Sequence, residues 1–517
     1  MTRTSEPSWV RRTDHVLRPD PARVVSTIFL PGQEMAASGE SRSTAVLERV
    51  LALSESDVEE TLARVVESFG PRHRDLPAAW ATNSGLLRHR LVGSGRISAA
   101  RLQLIGAYFT QEYAVEGAAL FNPSMVEHPD QSGLEPGSTR FLMTVRAVGE
   151  GHVSSVELRT GVIDVLDVVR LDPPPTVAVL PAGTATTYVG DVFAQQLREH
   201  GGDHANSDFV LDALPATFTR PELDLALAQL RDQLLTRGSA VRTIERIERI
   251  AACNYAIEFP ASSSPQERVI MPRSPSESHG IEDVRVVRFL ETDGGPAYLA
   301  TYTAYDGSSI SSQLLQSDDF RTFTVAQLSG PGSKNKGMAL FPRRVRGRYV
   351  ALSRADRESN AVTTSVDLRH WETPVLVQTP HQPWEIVQLG NCGPPIETES
   401  GWLVLTHGVG PMRQYSIGAL LLDLDDPTVV TGRLSRPLLT PAADERSGYV
   451  PNVVYSCGAM LHGRTLVLPY GCSDWETRIA LVDLDGLLTE LRTEGAGPTL
   501  TVRPATNQSR HRPQETP

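Results

Sequence analysis

The sequence predicts a mainly β chain: a five-bladed β-propeller with an N-terminal helical segment and a helical insertion between blades 1 and 2. Three observations predict it. From about Ala118 onward, short β-prone runs are separated by turns of Gly, Asp and Pro. These runs fall into five similar units, and self-similarity at a period near that of a four-stranded blade is the mark of a propeller. Before and between the units, apolar residues recur at helical rather than strand spacing.

Taken in chain order, residues 1–20 are polar and aperiodic and are expected to be disordered. Residues 21–115 read as helical. Ser56 and Glu59 have the spacing of a capping box, Val58, Leu62, Val65, Val66 and Phe69 form an apolar stripe, and Gly70 supplies a stop. A second helical run covers about 98–113. The propeller is expected over 116–490. The helical insertion is placed at about 170–255, and within it Leu223, Leu227, Leu230 and Leu234 line one side of a run over about 221–252. Residues 491–517, rich in proline and charge toward the end, are expected to be a disordered tail.

The units align if Asn122, Asp283, Lys336, Pro395 and Asn452 open equivalent first strands. Their spacings are then 161, 53, 59 and 57 residues, the long first interval holding the insertion. A blade hides its faces only against neighbours, so the set is expected to close. Closure would bring the strand openings together in one funnel, with a further shell from the ends of the second strands: Arg146, Tyr302, Asp306, Arg354, His407, Tyr470 and Asp474. Charged groups are seldom buried without partners, so such a convergence points to a site rather than to packing. Because neighbours on a strand alternate faces, only one of Glu282 and Asp283 is expected to face the funnel. Lys336 lies in GPGSKNKG, but the Gly-Lys-Ser/Thr ending of a nucleotide-binding loop is missing and a strand follows.

Composition narrows the partners. With 61 acidic and 49 basic residues the formal net charge is -12, which argues against nucleic acid and anionic membranes as partners. There is no apolar run of bilayer length and no secretory leader. Cys253, Cys392, Cys457 and Cys472 lack metal-ligand or CxxC spacing and read as reduced thiols of a cytoplasmic protein. No HExxH, GxSxG or GxGxxG motif is present, so neither a metal nor an organic cofactor is expected.

The motifs NPSMV, GIEDVRV, YTAYDG, KGMALFP, GPPIETESGWLVLTHGV, GYVPNVV and LPYGCSDWETRIALVDL, spread over 122–488, resemble glycoside hydrolase family 130. The resemblance implies inverting mannoside phosphorylases, with some β-mannosidases. It implies Asp283 as the proton donor, acting through a hydroxyl of the bound mannosyl residue. It implies Arg146, Lys336, Arg354 and His407 as the cluster for inorganic phosphate, the co-substrate, and Asp474 as a grip on mannosyl hydroxyls. Asn122, Tyr302, Asp306, Asn452 and Tyr470 complete the expected substrate contacts. Val284 stands where the family usually has proline, which leaves the acid in place.

Two enzymes remain open at this stage. Inversion by water requires a second carboxylate as base, and Glu397 or Glu399 would have to serve, whereas phosphate needs cations and no base. One clear acid and up to four basic groups favour phosphorolysis of a β-mannoside oligosaccharide to α-mannose 1-phosphate. An inverting β-mannosidase is the alternative, and a non-catalytic carbohydrate-binding propeller is a third reading, since fold alone does not fix function. Homo-oligomerisation through the helical parts is left open.

Overall fold

A computed structural model describes residues 7–32, 41–92, 95–199, 201, 204–290 and 296–495. Strand β1 (Val10–Leu17) comes first, followed by β2 (Val24–Ile28). Helices α1 (Arg42–Ala52), α2 (Glu55–Phe69), α3 (Leu76–Leu86) and α4 (Ala99–Tyr108) precede β3 (Thr110–Ala114), which returns antiparallel to β2. The sheet strands then begin with β4 (Ala119–Glu127), β5 (Thr139–Val148), β6 (Ser154–Ile163) and β7 (Val169–Leu171). The segment that follows holds β8 (Ala182–Thr184), β9 (Thr187–Val189), α5 (Gly190–Glu199), α6 (His204–Leu211), β10 (Thr217–Thr219), α7 (Arg220–Arg231) and α8 (Ala240–Ala252). Its helices share a core of their own, with Leu223, Leu227 and Leu230 at its centre.

Beyond it run β11 (Tyr255–Glu258), β12 (Val269–Ile270), β13 (Ile281–Leu290), β14 (Pro296–Tyr305), β15 (Ile310–Ser317) and β16 (Thr322–Gln327). Next are β17 (Ala339–Leu340), β18 (Tyr349–Ser353), β19 (Asn360–Ser365) and β20 (Val375–Gln378). They are followed by β21 (Gln388–Asn391), β22 (Ile396–Thr398), β23 (Gly401–Val409), β24 (Tyr415–Leu422) and β25 (Val430–Arg433). The last are β26 (Val454–Tyr455), β27 (Met460–His462), β28 (Thr465–Cys472), β29 (Glu476–Asp483) and α9 (Leu484–Glu494).

These strands build five antiparallel sheets of four to six strands, in the orders β4-β5-β6-β12, β13-β14-β15-β16-β11-β8, β17-β18-β19-β20, β21-β23-β24-β25 and β26-β28-β29-β1. Between consecutive sheets lies an apolar cluster. Leu142 and Val286 meet between the first and second, Leu314 and Leu352-adjacent Ala351 between the second and third, and Val362 and Val404 between the third and fourth. Leu405 and Leu468 meet between the fourth and fifth, and Met143 and Val467 between the fifth and the first. The last sheet thus packs on the first, and Ser124 bridges directly to Gly458. Removing both faces of each sheet from water in this way is the main stabilising term, at about 25 cal/mol per Å² of apolar area.

The structure revises the N-terminal reading. Residues 10–17, expected to be disordered, form an edge strand paired with β29, with Arg12 bonded to the buried Glu445. The cap of α2 is Ser54, whose hydroxyl accepts from the Asp57 amide, not Ser56. The run over 98–113 divides into a helix and a strand, and that over 221–252 into two helices. Residues 491–494, expected to begin a disordered tail, continue α9, and residues 1–6 and 496–517 of the two termini expected to be disordered lie outside the described residues.

A buried charge quartet fastens the N-terminal region to the first sheet. Arg23, Glu116, Glu157 and Arg159 are each at most 3% exposed. Arg23 Nε lies 2.5 Å from Glu157 and 3.2 Å from Glu116, and Arg159 pairs with both carboxylates. Burial, then the neighbouring Glu157 charge, pushes the Glu116 pKa up to about 7.

Candidate active site

The site is built at the first strands of the sheets, and backbone distortion places it. Strand β13 is bulged between Glu282 and Arg285, and Asp283 within the bulge has φ 56°. Strand β4 is bulged in the same way between Phe121 and Ser124, with Asn122 at φ 51°. Asn335, Gly393 and Asn452 repeat the left-handed backbone in the other three sheets. Asn and Asp tolerate this conformation better than most residues, yet it still costs about 1–3 kcal/mol and tends to occur where function requires it.

At β13 the bulge breaks strand alternation, so both acids turn to one side. The Arg146 guanidinium lies 3.0 Å from Glu282 and 3.6 Å from Asp283. Lys336 pairs with the other Glu282 oxygen, and Asn122 Nδ2 donates to Asp283 Oδ1 at 2.8 Å. The expectation that only one acid would face the site is therefore corrected. Burial works against the Asp283 carboxylate, but Arg146, then Arg285, the Asn122 bond and Lys336 outweigh it and hold its pKa below the ordinary range.

Beneath Asp283 runs a chain of contacts absent from the sequence reading. The Arg285 side chain is buried; it donates to the Asp283 carbonyl at 2.9 Å and to the Tyr455 hydroxyl at 2.7 Å. The Tyr455 ring packs 4.8 Å from that of His407. His407 Nε2 lies 3.1 Å from Arg354 NH1, and its Nδ1 lies 3.2 Å from the Asn391 carbonyl. Arg354 can only donate, so Nε2 accepts and Nδ1 carries the proton. Burial, then the Arg354 charge, holds the His407 pKa well below its usual value, so the ring is neutral. Gly390 makes room for this pair, since a Cβ there would come within 2.6 Å of His407 and 3.0 Å of Arg354. Asp474 completes the group. Burial, then the Asp283 charge, pushes its pKa up to about 6, against the pull of Arg146 and Arg413.

Several buried polar atoms of this cluster have no partner among the described residues: Asn122 Oδ1, Arg146 Nε, Arg285 Nε and Arg354 Nε. Buried polar atoms in native proteins are satisfied by protein, water or a bound group, so these four can each take a further hydrogen-bond partner.

The structure thus brings together Asn122, Arg146, Asp283, Lys336, Arg354, His407 and Asp474, and adds Glu282, Arg285 and Tyr455. Six other expected residues are engaged by other partners. Tyr302 and Tyr470 are core side chains whose hydroxyls are bonded to the buried carboxylates of Glu277 and Glu445. Asp306 caps its own turn and pairs with Arg249 at 2.6 Å. Asn452 accepts from Arg446 at 2.7 Å. Glu397 is clamped by Arg343 and Glu399 by Arg464. Glu397 also sits opposite Trp402, five residues along β23 from His407, or roughly 16 Å at about 3.3 Å per residue. Neither glutamate is placed as a base.

The sequence profile of a family described as beta-1,4-mannooligosaccharide phosphorylase, glycoside hydrolase family 130, matches residues 247–493. A β-1,2-mannobiose phosphorylase of Listeria innocua is 30% identical over 274 residues, spanning 51% of this chain and 74% of that protein. The chain belongs to glycoside hydrolase family 130. A 1,2-β-oligomannan phosphorylase of Thermoanaerobacter sp. is 32% identical to this family 130 chain over 228 residues, covering 42% of it and 72% of the relative. Among solved structures, the Listeria innocua β-1,2-mannobiose phosphorylase in complex with β-1,2-mannobiose aligns to the family 130 chain with TM-score 0.43 and 21% identity, over 74% and 94% of the two chains.

Proposed function

We propose that this protein is an inverting glycoside phosphorylase that moves a β-mannosyl group from a manno-oligosaccharide to inorganic phosphate, on a five-bladed propeller. The cyclic succession of five sheets supports the propeller reading. The observation that carries the chemistry is a single bulge that presents Asp283 beside Arg146 and, through Glu282, Lys336. A phosphate oxygen attacks the anomeric carbon, and the bond from that carbon to the leaving oxygen breaks with inversion. The leaving oxygen takes the Asp283 proton, relayed by a mannosyl hydroxyl, giving α-mannose 1-phosphate and a shortened saccharide. The same cations that depress the Asp283 pKa are those a phosphate dianion would neutralise, so phosphate arrival favours the protonated acid the reaction needs. The names of the relatives, mannobiose and oligomannan phosphorylases, support the substrate class.

Incubation with β-1,2- and β-1,4-linked manno-oligosaccharides, with and without phosphate, is the direct test. Expected is α-mannose 1-phosphate formation that requires phosphate. Sugar release at the same rate without phosphate would replace this reading by the β-mannosidase. Lys336→Ala should raise the KM for phosphate by about tenfold or more, the worth of one charge-assisted contact, with a smaller change in the KM for saccharide.

A pH limb is also expected. An ionised Asp474 accepts from mannosyl hydroxyls, and with a pKa of about 6 it loses that form as pH falls through 6. The rate at low saccharide should therefore fall about tenfold per unit below that value, and Asp474→Asn should flatten the limb.

A further inference from the structure

Beside this cluster lies a cleft of about 570 Å³ walled by α8 on one side and the β14–β15 turn on the other. Arg242, Arg246 and Arg249 face it from successive turns of α8 together with Ile250, while Ile244 and Ile247 are turned into the core. Arg249 is taken by Asp306. Arg242 and Arg246 form no ion pair with the described residues. The cleft thus holds three guanidinium groups, two of them uncommitted, against two carboxylates, Glu245 and the Asp306 that Arg249 takes, in a chain whose net charge is -12.

The cleft adjoins the proposed phosphate site. Asp306 follows Tyr305, and Lys336 Nζ lies 5.9 Å from the Tyr305 ring centroid. Ser311 lines the cleft, and the hydroxyl of its neighbour Ser312 donates to the carbonyl of Asn335, next to Lys336. Arg242, Glu245 and Arg246 all precede residue 247, where the family profile begins, so they are features of this chain beyond the matched region.

We infer that this cleft receives part of the saccharide substrate and selects one bearing an anionic substituent, a phosphate ester or a carboxylate, through Arg242 and Arg246. This rests on the phosphorylase reading for the role of the saccharide but not for its binding. Guanidinium groups form paired, charge-assisted hydrogen bonds to phosphate and carboxylate that neutral hydroxyls cannot match.

The experiment has two arms on the full chain. Calorimetric titration compares mannose with mannose 6-phosphate and mannuronate, and synthesis from α-mannose 1-phosphate uses the same three acceptors. Expected is at least tenfold tighter binding of one anionic sugar and the same preference in kcat/KM. In the Arg242→Gln/Arg246→Gln variant both preferences should collapse toward one. The two anionic ligands tell phosphate ester from carboxylate. Equal binding of mannose and both anionic sugars overturns the inference, as does a preference that survives in the variant. Anionic preference in binding without turnover of any acceptor would keep the anion site and remove the phosphorylase reading instead.

Discussion

Replacing Asp283 by Asn is expected to lower mannosyl transfer by about 10²–10⁴-fold, the usual worth of a positioned general acid, while leaving the fold intact. The side chain keeps its shape, and Arg285 retains its bonds to the Tyr455 hydroxyl and to the backbone carbonyl of residue 283, so the bulge is still anchored. What is lost is the only proton the leaving oxygen can take by the proposed route. A β-mannoside with a dinitrophenolate leaving group needs no such proton, so the variant should recover a large part of its rate on that substrate. Equal loss on natural and activated substrates would instead make Asp283 a positioning residue, and an unchanged rate on the natural one would remove it from the mechanism.

The second large effect is on stability. Glu157→Ala should destabilise the protein by about 3–5 kcal/mol, because it leaves Arg23 and Arg159 buried with Glu116 as their one remaining carboxylate in the quartet. The effect is read as a lower urea midpoint, compared with Glu372→Ala, which removes a solvent-exposed pair with Arg348 of the kind contributing about 0–1 kcal/mol. With Glu157 gone, its charge and its hydrogen bond, two of the three causes raising the Glu116 pKa, disappear, so that group should titrate lower than about 7. A midpoint no lower than that of Glu372→Ala would show that the quartet contributes no more than a surface pair.

Much of this was legible in the sequence because period and alternation are local. The openings at Asn122, Asp283, Lys336, Pro395 and Asn452 could be aligned from turns and strand runs, and closure then predicted that Asp283 and Arg146 would meet across 137 residues. Backbone irregularity escaped that logic. Strict alternation would send Glu282 and Asp283 to opposite faces, and only the bulge and the positive φ at Asp283 reverse this. Tyr302 and Tyr470 show the other limit. Each stands near the end of a strand as a sugar-contacting tyrosine might, but each is claimed by a carboxylate from a short turn about 25 residues upstream, Glu277 or Glu445, which nothing in the strand itself announces. Arg285 was visible as a charge on a strand, yet its burial follows from the neighbouring sheets rather than from its own segment.

Strand β1 carries a consequence for how the chain is made. Its partner lies some 460 residues downstream, Leu17 against Thr477, and at about 5–20 residues per second a ribosome needs roughly 20–90 s to deliver it. Throughout that wait the segment is an unpaired edge at risk of joining the wrong neighbour, and charge on an edge is a known guard against this. Arg11, Arg12, Asp14 and His15, the polar run that made the segment look structureless, suit a strand that must stay soluble until β29 has emerged.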